Sequence, residues 1–264
     1  MNKDLSNLRC LQASHRYSAY SHFKNKTVSW LPMDTNELFL KHQRNKHTRK
    51  KLKDLNWTEN SIEYKFNSYG FRSDDFNSNG ESIVFLGCSH TIGIGINFED
   101  TASYIVSRQL GYNCFNLGMG GGSNDTCFRF AYHWIEKLSP KIVVLIAPSI
   151  YRFEIADDRR SYNGFEILKA SSPILKEYRL FYRKWIDNDD NSYFNFHKNV
   201  LAIKKICDMN DAKFVCTDCA FDFSTWPVFS LATMGNEARD LAHAGRVPNR
   251  KKANEILNLI GEIT

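Results

Sequence analysis

The spacing of apolar residues divides the chain into two textures that meet near residue 80. Residues 1–56 show no clear hydrophobic period and read as a polar, partly helical lead-in. Residues 57–80 include NSYGFRSDDFNSNG, whose Asn, Ser, Asp and Gly are turn-forming residues. Beyond them, short apolar runs alternate with helical patterns. Residues 82–86 (SIVFL) form an apolar run closed by Gly87, as in a strand buried on both faces. Residues 99–110 carry apolar positions at helical spacing, with Gly111 as the C-cap. Residues 112–117 read as a second strand, followed by a glycine cluster over 118–122. Residues 123–138 read as a helix that Pro140 stops. Residues 141–147 (KIVVLIA) are the strongest strand signal, closed by Pro148. A helix over 199–209, a strand over 213–217 and a last helix over 251–263 complete the pattern.

Strands alternating with helices imply βαβ units: a mostly parallel sheet with helices on both faces, an α/β fold of three layers. The expected organisation is an N-terminal extension and lead-in loop over 1–80, then an α/β domain over 81–264. Residues 149–196 are longer than a plain crossover needs. They are rich in Tyr, Phe, Arg and Asp, and suit either a lid or binding wall above the strand ends or a helical pair covering the sheet.

Composition narrows the class. With 264 residues, 42% hydrophobic and 24% charged, the chain is long enough for a well-buried globular core. No apolar stretch reaches membrane-spanning length, and the first residues lack the apolar run of a secretory signal. The seven cysteines are odd in number and scattered singly, unlike a disulfide framework, so a cytoplasmic setting is expected. Much of the net charge of +6 lies in residues 41–53, which carry seven Lys or Arg and no acid. A solvated helix face accounts for that run better than nucleic-acid contact, since no aromatic residue within it could stack on a base.

The chemistry should lie at the carboxyl ends of the parallel strands. The first strand delivers Gly87-Cys88-Ser89-His90-Thr91 to that edge, and the second delivers Asn116 through Asp125. Near the C-terminus, Asp240 and His243 lie three residues apart. On one turn that spacing lets the carboxylate take one imidazole N–H and leaves the other nitrogen as an acceptor for a hydroxyl. A serine needs such a base to become a nucleophile, and Ser89 is the best-placed candidate, directly after a buried strand.

These residues resemble the SGNH (GDSL-like) hydrolase superfamily over roughly residues 83–260. Gly87-Cys88-Ser89 stands where the family has Gly-Asp-Ser, in the Gly-Cys-Ser-x-Thr form of one branch. Asn116 and Gly121 match the second block, and Asp240 and His243 match the closing Asp-x-x-His. The resemblance implies a flavodoxin-like sheet of about five strands and an ester-hydrolysing activity through an acyl-Ser89 intermediate. In that chemistry Ser89, Asp240 and His243 are catalytic, no metal or organic cofactor is needed, and backbone N–H groups of Ser89 and Gly121 form the oxyanion hole. The substrate class would be a small acyl or carbohydrate ester. The family's third block, which supplies an oxyanion-hole Asn, is absent: 147–152 read APSIYR. Asn124, Ser149 and Arg152 are the candidate substitutes, with Asn124 favoured because it lies three residues beyond Gly121.

Each signal has a simpler counterpart. A Gly-x-Ser can be an ordinary helix cap, and the glycines at 118–122 could cradle phosphate, although they do not form a dinucleotide fingerprint. Cys216 and Cys219 form a lone CxxC, read as buried strand-end thiols rather than a metal half-site. Arg72 is expected to pair with an acid near the strand ends. The main alternative to an enzyme is a carbohydrate- or polymer-binding protein that kept this fold without catalysis.

Overall fold

A computed structural model describes residues 17–156, 165–168, 175–218 and 236–263. Its centre is a parallel sheet of β3 (Ser82–Gly87), β4 (Asn113–Asn116), β5 (Ile142–Ala147) and β8 (Lys213–Asp218) in the order β4-β3-β5-β8. Among the described residues the sheet therefore has four strands, against about five expected. The order reverses between β3 and β5, and that switch point is where an open α/β sheet offers its crevice. Every residue of β3 and β5 is buried, which explains why SIVFLG and IVVLIA read as continuous apolar runs rather than alternating ones.

Helices cover both faces. Helices α4 (Ala102–Leu110) and α8 (Arg246–Gly261) pack on one face, where Val106, Ala253 and Ile256 meet Ile83, Phe85 and Val144. Helices α5 (Asn124–Leu138) and α7 (Asp189–Met209) pack on the other, where Phe130, Ala131 and Ile203 meet Val84, Leu86 and Val143. Burying each such side chain contributes roughly 1.5–3 kcal/mol, so these two layers hold the frame of the strand ends. Local signals agree with the frame. Thr101 caps α4 through the Tyr104 N–H, Gly111 closes it at φ +72°, and Ser123 opens α5 in a capping box with Thr126.

Two helices start earlier than their sequence pattern suggests. Helix α7 begins at Asp189, inside the 149–196 segment, because polar Ser192, Asn195 and Asn199 occupy buried positions and mask the apolar period. The side-chain amides of Asn195 and Asn199 both donate to Asp125 on α5, at 3.1 and 2.8 Å. Helix α8 begins at Arg246, since Pro248 falls in the first turn, where a missing N–H costs nothing. The remainder of the segment includes an antiparallel hairpin of β6 (Phe153–Ala156) and β7 (Phe165–Leu168) and a short helix α6 (Leu175–Phe181). Glu154 of β6 forms a buried ion pair with Arg129 of α5 (2.7 Å), which anchors the hairpin to the sheet layers.

The N-terminal region has little regular structure but a dense core. It contains the ribbon β1 (Thr27–Val28) with β2 (Tyr64–Lys65), and helices α1 (Asn36–Arg44) and α2 (Lys46–Asp54). Tyr20, Leu31, Phe39, Leu52, Trp57, Tyr64 and Phe66 cluster with Ile92, Ile94 and Ile96, just past β3, and with Ala238. The extension is thus packed directly against two loops at the strand ends.

Candidate active site

Ser89 opens the four-residue helix α3 (Ser89–Ile92) immediately after β3, with Cys88 as an extended N-cap residue. The first N–H groups of a helix lack intrahelical acceptors, which leaves the Ser89 amide free of one in this turn. The glycine loop lies alongside. Leu117 donates to the Phe85 carbonyl (2.8 Å) and Met119 to the Gly87 carbonyl (3.1 Å), so the loop extends the β3–β4 pairing to within two residues of Ser89. A Cβ on Gly118 would lie 2.6 Å from the Ile92 nitrogen, so only glycine allows the loop to touch α3 this closely. Gly121 adopts φ +75°, left-handed backbone that glycine adopts without strain. Buried Asn116 braces the same corner, donating to the Thr91 carbonyl and Ser103 Oγ at 2.6 and 2.9 Å and accepting from Gly118 N–H.

Asp240 and His243 sit in a closed loop. Glu237 and Ala244 pair as an isolated bridge, and Ala238 N–H donates to the His243 carbonyl at 2.9 Å. Asp240 Oδ1 accepts from the backbone N–H groups of Ala242 and His243, both at 3.1 Å, while Oδ2 is hydrogen-bonded to His243 Nδ1. The carboxylate is buried, and Leu241 between them is held at φ +55°, a conformation disfavoured for leucine. A loop that maintains this geometry fixes the imidazole with Nδ1 as donor and Nε2 as acceptor. His243 lies beside the nucleophile turn, its ring centroid 5.1 Å from that of His90. Among the described residues the His243 ring is hydrogen-bonded only through Nδ1, to Asp240, and not to Ser89 Oγ; such contacts often tighten only when substrate binds.

Asn124, the favoured third donor, is the first residue of α5 and is buried. Its amide nitrogen donates to the Pro148 carbonyl at 3.1 Å, tying the start of α5 to the end of β5, while its Oδ1 has no partner among the described residues. Ser149 is buried and its hydroxyl accepts from Tyr151 N–H. Arg152 donates to the Gly122 carbonyl at 3.2 Å, which brings a guanidinium to the rim of the glycine loop.

His90 is a second imidazole in the site. Burial is the main cause that lowers its pKa to about 4, with the Arg152 guanidinium acting in the same direction. It is therefore neutral at pH 7. Its Nδ1 and the Thr91 hydroxyl lack protein partners among the described residues, and both residues line a cavity of about 10 Å³, the size of a single water. Among the described residues no cluster of three His, Cys, Asp or Glu is arranged to hold a metal ion, and Cys219 lies outside them. No described helix is long and apolar enough to cross a membrane.

Arg72 differs from its sequence expectation. Its buried guanidinium donates to the carbonyls of Glu63, Ile92, Gly93 and Ile96 rather than to an acid. Backbone oxygens of the turn after α3 and of Glu63 satisfy both terminal nitrogens, while Nε has no partner among the described residues. Burial lowers its pKa to about 10, which leaves it charged at neutral pH. Sequence reasoning also misses Asp34, Tyr64 and Arg239, because their partners are remote in sequence.

No protein-family model matches the chain, and no curated protein matches it. Several solved structures are similar at low scores. A Bacteroides fragilis protein provisionally assigned as an acylhydrolase is 16% identical with a TM-score of 0.31, over 71% of this chain and 65% of that one. A psychrotrophic esterase from Pseudoalteromonas is 12% identical with a TM-score of 0.35, over 69% of this chain and 98% of that one. A GDSL-like lipase from Bacteroides thetaiotaomicron is 13% identical with a TM-score of 0.32, over 70% and 89% respectively. Likeness at this level carries no argument about chemistry, which rests on the site residues themselves.

Proposed function

We propose that the chain is an SGNH-type serine hydrolase that cleaves ester bonds. The observation that carries this reading is the Asp240–His243 pair, fixed with its Nδ1 on the carboxylate, beside a strand-to-helix turn that begins with Ser89. In the proposed mechanism His243 Nε2 removes the Ser89 proton as Oγ attacks the ester carbonyl. The oxyanion is met by the N–H groups of Ser89 and Gly121. The tetrahedral intermediate collapses to acyl-Ser89 as His243 protonates the departing alcohol. Water, deprotonated by the same imidazole, then releases the acid and restores Ser89. Asp240 keeps the imidazole in the working tautomer and stabilises its cation.

Asn124 is assigned a lesser part than its position in the sequence suggests. Its amide already donates to Pro148, so the Asn124 side chain can add to the oxyanion hole only through its second N–H. The same observation favours the second reading, a non-catalytic binding protein with this fold, because removing one oxyanion donor slows such reactions about 10²–10³-fold. Turnover of p-nitrophenyl acetate separates the two. An enzyme should release nitrophenolate, and Ser89→Ala and His243→Ala should both lose that release. A wild-type rate no higher than that of Ser89→Ala would leave the binding protein as the better account.

A further inference from the structure

The acid–base loop is held in place from outside the α/β layers. Arg239, immediately before Asp240, is fully buried and forms a buried ion pair with Asp34 at 2.7 Å. Among the described residues its guanidinium donates only to the N-terminal extension: to Asp34 Oδ1 at 3.1 Å and Oδ2 at 2.7 Å, and to the carbonyls of Ser29 and Glu59, both at 2.7 Å. The guanidinium also stacks 3.9 Å over the Trp30 ring.

The same residues close a ring onto the nucleophile side. Tyr64 donates its hydroxyl proton to Asp34 and accepts from Gly95 N–H at 2.8 Å. The Gly95 carbonyl in turn accepts from Arg239 N–H at 2.8 Å. Gly95, six residues after Ser89, therefore spends both backbone groups in this ring. It sits at φ +75°, and a Cβ there would come within 2.7 Å of Ala238 Cβ and 3.2 Å of Asp240 Oδ1. Two further contacts grip the loop from the extension: Trp57 Nε1–H donates to the Glu237 carbonyl at 2.9 Å, and Lys51 pairs with the Glu237 carboxylate at 2.7 Å.

We infer that Asp34, Tyr64 and Arg239 are positioning residues for the Asp240–His243 pair, so that the extension is a working part of the active site. This rests on the reading of His243 as the general base. The physical argument is geometric. A bidentate guanidinium–carboxylate pair is stiff and directional, and one end of it is joined by a single peptide bond to the residue that orients the imidazole. Lysine at position 239 would keep the charge but could not bind both oxygens of Asp34 and two carbonyls at once. A displacement of about 1 Å at the reacting groups can slow a reaction about 10²-fold.

The test uses the full-length chain carrying Arg239→Lys or Tyr64→Phe, with ¹⁵N-labelled histidine spectra, ester kinetics and thermal melts. The His243 signals are assigned by their loss in His243→Gln. The clamp predicts an Nδ1–H tautomer for His243 in the wild type, shifting toward the Nε2–H form in Arg239→Lys. It predicts kcat lower by about 10²-fold in that variant with KM within about twofold. Tyr64→Phe, which loses one hydroxyl and nothing else, should lower kcat about threefold to tenfold. A folded Arg239→Lys with wild-type tautomer and kcat overturns the proposal. If that variant does not fold, Tyr64→Phe decides by the same criteria. Should the wild type hydrolyse no ester, the hydrolase reading falls and the tautomer alone judges the clamp. A tautomer that persists in both variants then rejects it.

Discussion

The sheet core and the N-terminal extension contribute to the same site by different physics. The core works by bulk: continuous apolar strands between two helix layers place Ser89 at the switch point whatever the detail of any one contact. The extension has an apolar cluster of its own, but it grips the acid–base loop by single directed interactions. Helix α1 buries only Phe39 and helix α2 only Leu52, and the extension's hold on the acid–base loop runs through individual hydrogen bonds, ion pairs and a ring contact. An element built the first way tolerates local change and loses stability in proportion to what is removed. One built the second way can lose function before it loses its fold.

The largest effect expected on the catalytic side is at His243. His243→Ala should lower ester turnover about 10²–10⁴-fold, the usual worth of a positioned general base, with little change in the melting curve. Next, paired truncations sharpen the contrast between the regions. Ile83→Ala, at the start of β3, should destabilise the fold by about 2–5 kcal/mol in urea titrations yet leave kcat of the folded protein unchanged. Leu52→Ala should cost a similar amount of stability and reduce kcat as well, because its cluster supports the loops around Ile94 and Ala238. Equal kcat in the two variants would erase the distinction.

A smaller effect concerns acid stability. His90 titrates at about 4 in the folded chain and near 6.5 when unfolded. Between those values the unfolded state binds more protons, so stability present above pH 6.5 is lost as pH falls toward 4. The loss amounts to up to about 3 kcal/mol. Urea titrations at pH 7, 5.5 and 4.5 should show a shallower decline for His90→Gln than for the wild type. An identical decline would mean that the buried imidazole does not govern this range. The smallest effect is expected at Lys50→Met, since that lysine and its partner Asp54 are both exposed. A stability change of at most about 1 kcal/mol is predicted.

This contrast also explains which parts were legible in the sequence. Buried parallel strands declare themselves through runs such as IVVLIA, and Asp240 and His243 are close enough in the chain to be read as one unit. The glycines around 121 and the Ser89 turn follow directly from those strands. Helix α2 was opaque because its nine residues offer one apolar anchor in a basic run; that run is a solvated face, as its composition suggests, except at Lys51, which holds Glu237. Asp34, Tyr64 and Arg239 were invisible for another reason. Asp34 and Arg239 are 205 positions apart, and nothing in the intervening sequence has a periodicity that could announce a buried ion pair.

The central claim, that Ser89 is a nucleophile activated by His243, meets its most direct test in covalent labelling. The intact chain is treated with a fluorophosphonate near pH 7.5, and the adduct is mapped by peptide mass spectrometry. The account predicts one phosphonylated site at Ser89, absent from Ser89→Ala and formed at least about 10²-fold more slowly in His243→Ala. A chain that takes no label, or one labelled at the same rate without His243, would contradict it.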